Sequence, residues 1–86
     1  MKGLFNKVKN RNTRQRFVVS TVRRGEDLFE TAVFAATLLY LPKSLANPEM
    51  TVKTHSQDEA WDMHYRITAR LTTEFPARLF QEFTQN

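Results

Sequence analysis

His55, Asp58, Asp62 and His64 are the nearest approach in this chain to a metal-binding group. A zinc-like ion needs three or four donors converging on one point. Asp58 and His64 stand six positions apart in a segment that reads as helix, so they point to different sides, and His55 precedes that helix. No H-E-x-x-H or comparable spacing occurs. His64 falls on an apolar helical stripe, where an imidazole is expected to have its ring nitrogens satisfied by neighbours.

Nucleophilic catalysis needs a hydroxyl or thiol beside a base that a third group orients. Ser20 falls in a strand-like run, and Ser56 sits at a helix start where its hydroxyl is used for capping. Asp58 and Glu59 are adjacent in the first turn of that helix, where acids complement the positive end of the dipole. Gly3 and Gly25, the only glycines, cannot build a phosphate loop. The chain is therefore expected to be no enzyme, with no catalytic residue, no metal and no cofactor.

The strongest chemical concentration is the opening MKGLFNKVKNRNTRQR, which carries Lys2, Lys7, Lys9, Arg11, Arg14 and Arg16 and no acid. The net charge of +4 divides into +6 over these residues and −2 over the rest, where seven bases meet nine acids. The body is mildly acidic, so only this arm can neutralise phosphates, the main source of affinity for nucleic acid. Asn6, Asn10, Asn12, Thr13 and Gln15 lie between the bases and can hydrogen-bond phosphates or base edges.

Other readings of the arm stay open. Leu4, Phe5 and Val8 at helical spacing fit a short amphipathic helix on a membrane surface or a protein. A solvated tail fits as well. Arg23 and Arg24, near a hairpin turn, would extend the basic reach, although Glu26 and Asp27 follow and oppose their field. Trp61 and Tyr65, four apart on one side of the helix, fit an aromatic contact to a partner or a wall of the core.

These residues must be placed by a small fold. A chain of 86 residues makes one domain, and a hydrophobic content of 41% is too high for a wholly disordered one. Cysteine is absent, which suits a reducing compartment, and no signal-peptide pattern follows Lys2. The cytoplasm is the expected location. The most apolar run, LFETAVFAATLLYL over 28–41, is shorter than the roughly twenty residues a membrane span needs and contains Glu30. No transmembrane segment is expected, and the run is assigned to the core.

RFVVSTVRR is rich in β-branched residues and closed by Gly25, so it reads as a strand. In the next segment Phe29, Thr31 and Val33 alternate against Leu28, Glu30, Ala32 and Phe34, as in a strand. Leu28, Ala32, Ala35 and Leu39 also recur at helical spacing before Pro42. LPKSLANPEM is a turn-rich connection, and TVKTH is a short strand placed at an edge by Lys53 and His55. SQDE is a capping box: Ser56 caps the third helical N–H and Glu59 returns to the Ser56 N–H. Ala60, Met63, His64, Ile67 and Leu71 then form the inward stripe. PARLFQEF makes a short last helix that places Phe75, Leu79, Phe80 and Phe83 on the body.

The succession FVVSTV, GEDLFETAVF, TVKTH and SQDEAWDMHYRI resembles small uncharacterised proteins of bacteriophages and prophages, with Glu30, Thr31, Val33, Phe34, Glu59, Ala60 and His64 at the matching positions. The resemblance favours strand over helix at Phe29–Phe34. It implies a viral or prophage accessory protein that binds a host or viral macromolecule, with the host cytoplasm as its location.

The expected architecture is α+β. A three-stranded antiparallel sheet, near 17–24, 28–36 and 50–55, packs on one main helix at 57–72, with a short helix at 76–84. Residues 1–16 form a basic, flexible arm on a single domain at 17–86. The expected contacts are nucleic acid at Lys2, Lys7, Lys9, Arg11, Arg14, Arg16, Arg23 and Arg24, and a protein partner at Trp61 and Tyr65. The chain is expected to be a monomer or a homodimer.

Overall fold

Strand begins much earlier in the chain than expected. A computed structural model describes residues 3–84. It contains β1 (Leu4–Lys9), β2 (Arg16–Gly25), β3 (Leu28–Ala36), β4 (Met50–Thr54), α1 (Gln57–Arg70) and α2 (Pro76–Thr84). The strands form one antiparallel sheet in the order β1-β2-β3-β4. The class is α+β, but the sheet has four strands instead of three, with two helices beside it.

The additional strand is the supposed arm. In LFNKVK, Leu4, Asn6 and Val8 point toward the helices and are partly or fully buried, whereas Phe5, Lys7 and Lys9 point away and are exposed. This period of two lets an edge strand carry cations on its solvent face while Val8 joins the core. The segment cannot be the amphipathic helix that Leu4, Phe5 and Val8 also fitted. Gly3 enters the sheet where a Cβ would be driven into the Thr21 carbonyl oxygen.

On the helical side, Val8, Phe17, Val19, Val33, Met50 and Val52 meet Ile67, Leu71 and Leu79, with Met63 and Phe83 packed at the margin. Ala60, His64 and Ile67 of the predicted stripe are buried. Ser56 Oγ accepts the Glu59 N–H at 3.1 Å. The return bond goes to the His55 N–H at 3.1 Å, one residue earlier than expected. Of the four apolar residues assigned to the last helix and its entry, Leu79 is buried and Phe83 partly buried, while Phe75 and Phe80 are nearly half exposed.

The opposite face of the sheet is capped at one end. Val18 pairs with Lys7 and Phe34 and is fully buried on that face, where the Tyr40 ring lies 5.8 Å from Lys7 Nζ and 5.6 Å from Arg16 Cζ. The connection after β3 therefore folds back over the sheet. It is held by the bridge between Ala36 and Pro42 and by the Lys43 N–H on the Ala35 carbonyl at 2.8 Å. This corrects the assignment of the whole 28–41 run to the core, because Leu38, Leu39 and Leu41 are exposed.

Candidate functional site

The turn joining β1 to β2 is built on Asn10. Its side chain is buried, with Nδ2 donating to the Leu71 carbonyl at 2.9 Å and the Glu74 carbonyl at 3.2 Å. Its Oδ1 accepts the N–H groups of Asn12 at 2.9 Å and Thr13 at 3.1 Å. The Arg11 N–H adds a bond to the Thr72 carbonyl at 2.8 Å. A single side chain thus satisfies polar groups from both the turn and the junction between the helices, where unpaired buried groups would be costly. The turn is a fixed platform, and Arg14 takes a left-handed backbone conformation in it.

That platform gathers cations. Lys9, Arg11 and Arg14 line one shallow concavity of about 290 Å³ together with Asn10. Arg14, Arg16 and Lys43 line a neighbouring one of about 320 Å³ with Ala35, Thr37 and Leu38. No acidic side chain lines either. Among the described residues, none of these cations forms an ion pair. Arg16 Nε is buried and has no acceptor among them, a donor that water or an anion can complete. Lys43 was missed in the sequence because it follows an apolar run and a proline. Its charge matters only once the bridge between Ala36 and Pro42 carries it to the turn.

The remaining sequence candidates separate. Lys2 lies outside the described residues. Lys7 stands beside the cluster on β1, against Tyr40. Arg23 and Arg24 are near the other end of the ten-residue β2, roughly 25 Å away at the usual rise per residue. Both have internal partners there. Arg23 donates to the Gly25 and Glu26 carbonyls, and Arg24 pairs with Glu30 at 3.0 Å. Trp61 is partly buried and packs edge-on against Phe29 at 6.1 Å. Tyr65 is about half exposed and contacts the His64 ring.

A second polar constellation lies inside the protein. His64 Nε2 is 2.7 Å from Asn6 Oδ1, His64 Nδ1 is 2.8 Å from Thr21 Oγ1, and Thr21 Oγ1 is 2.7 Å from Thr31 Oγ1. The amide oxygen of Asn6 can only accept, so Nε2 carries the ring proton and Nδ1 accepts from the Thr21 hydroxyl, which in turn accepts from Thr31. Burial holds the imidazole below its ordinary pKa and keeps it neutral. A hydroxyl, an imidazole and an amide in this order have the form of a nucleophile, a base and an orienting group. Thr21, Thr31 and His64 are fully enclosed, however, so no substrate reaches the hydroxyl. The array joins β1, β2 and β3 to α1.

The four potential metal ligands are not brought together. His64 is internal, His55 is exposed before α1, and Asp62 pairs with Arg66 at 2.7 Å. Among the described residues no group of three or more His, Cys, Asp or Glu side chains is placed to hold an ion. No helix among them is long and apolar enough to cross a membrane. No protein family, curated protein or solved structure matches the chain.

Proposed function

We propose that this chain is a non-enzymatic binding domain that engages an anionic macromolecule of virus or host through the basic end of its sheet. The observation that carries this reading is the convergence of Lys9, Arg11, Arg14, Arg16 and Lys43 on two adjoining concavities without an acid among the lining residues. Neutralising closely spaced phosphates is the main source of affinity for such partners. The fixed turn supports it, because a preformed surface loses little freedom on binding. Enclosure of Thr31, Thr21 and His64 supports a binding role over a catalytic one.

The resemblance to phage proteins supports an accessory role in the cytoplasm of an infected cell. Nucleic acid, the partner raised by the opening cations, offers a dense phosphate array, and so does an acidic lipid surface. Stepwise salt elution of the full chain from phosphocellulose tests the shared chemistry. Retention at an ionic strength of about 0.15 M is expected, and passage in the flow-through contradicts the proposal.

A further inference from the structure

The connection after β3 presents leucines where a soluble surface would be polar. Leu38, Leu39, Leu41 and Leu45 are 74%, 77%, 58% and 75% exposed. The first three belong to a turn closed on itself. The Thr37 N–H donates to the Leu41 carbonyl at 2.9 Å, and the Tyr40 N–H donates to the Thr37 carbonyl at 2.9 Å. Thr37 Oγ1 accepts the N–H groups of Leu39 and Leu41 at 3.3 and 3.2 Å. Tyr40, whose hydroxyl would suit water, instead lays its ring against Lys7 and Arg16 in a left-handed backbone conformation. The amphipathic residue anchors the turn and its apolar neighbours project outward.

The cations stand beside this tip: Leu38 shares the concavity with Arg14, Arg16 and Lys43. Resting on the proposed binding of an anionic macromolecule, we infer that the partner is an anionic phospholipid surface, with the leucines entering the acyl boundary and the cations holding headgroup phosphates. An exposed apolar patch marks a protein or membrane contact. Anionic bilayers combine the two chemistries present here, an apolar interior under a layer of negative charge. Nucleic acid would use the cations and leave the leucines in water.

Co-sedimentation of the full chain with phosphatidylcholine vesicles, with and without phosphatidylglycerol, tests this, using phosphocellulose elution as the parallel measurement. The wild type should sediment with the anionic vesicles only. Leu39→Ser/Leu41→Ser, at two exposed positions that line neither concavity, should weaken that binding at least tenfold while eluting from phosphocellulose at the wild-type salt, and both are exposed enough for the fold to be kept. Arg14→Gln/Lys43→Gln should weaken both. Retention on phosphocellulose without sedimentation on anionic vesicles overturns the lipid inference and leaves the broader proposal standing, with an oligonucleotide shift assay then assigning nucleic acid. Equal sedimentation of the leucine variant and the wild type also overturns it. Failure on both vesicles and phosphocellulose overturns both.

Discussion

His64 on α1 and Thr21 on β2 meet at 2.8 Å inside the protein, and the imidazole accepts the threonine proton. The same hydroxyl receives the Thr31 bond at 2.7 Å, so Thr21 is a relay that cannot be removed without stranding two buried groups. Thr21→Val keeps the shape and removes the relay. It should lower unfolding free energy by about 1–3 kcal/mol, measured by urea denaturation. Adding Thr31→Val should cost less than the sum of the two single changes, because the donor left stranded by the first is then removed.

The lowered pKa of His64 has a definite sign in the stability profile. The unfolded chain takes up a proton near the ordinary imidazole value of 6.5, whereas burial makes the folded chain resist it. The His64 contribution is therefore fully present above that pH and declines as pH falls below it. Glu74 and Glu82 act in a lower window. The guanidinium of Arg70, hydrogen-bonded to both carboxylates, holds each below the ordinary 4.5, so their contributions are lost only as pH falls below that value. Thermal melts of the wild type and His64→Gln should differ in slope below about pH 6.5 and run parallel above.

A chain beginning at Phe17 should lose its cooperative thermal transition, followed by circular dichroism. It would lack Val8 from the core, the Asn6 acceptor for His64 and the Asn10 anchor, and the inner strand β2 would become an open edge. An unchanged melting temperature would restore residues 1–16 to the status of an appendage.

Asn10→Asp separates the two halves of the turn's anchor. The carboxylate can still accept from Asn12 and Thr13 but cannot donate to the Leu71 and Glu74 carbonyls. The expected loss is about 2–4 kcal/mol in urea denaturation, since buried carbonyls lose their donor and face a charge. Amide exchange should quicken at Arg11, whose N–H bonds to the Thr72 carbonyl.

Local chemistry made the fold's later elements legible. Ser56 and Glu59 announced α1 and the 3–4 spacing of Ala60, His64, Ile67 and Leu71 gave its buried face, whereas in β3 the alternation of Phe29, Thr31 and Val33 competed with the helical spacing of Leu28, Ala32, Ala35 and Leu39. The opening strand was missed because its charge was weighed above its pattern. The alternation of Leu4, Asn6 and Val8 with Phe5, Lys7 and Lys9 was present, but cations on one face of an edge strand look like a solvated arm when counted together. The site was half legible: Lys9, Arg11, Arg14 and Arg16 could be named, whereas Lys43 and the outward leucines depend on how Tyr40 folds the connection back over Val18. Chain order cannot show that Arg23 and Arg24 have partners of their own at the far end.

Two variants with the same reduction in charge provide the most direct test of the basic end as the binding surface. Arg11→Gln/Arg14→Gln/Lys43→Gln removes three cations there, and Arg23→Gln/Arg24→Gln/Lys53→Gln removes three near the opposite end of β2. On phosphocellulose the first should elute at clearly lower salt than the wild type, with at least tenfold weaker retention at a fixed ionic strength, while the second stays close to the wild type. Equal loss in both would mean that net charge alone draws the protein to phosphate, and it would contradict a localised site.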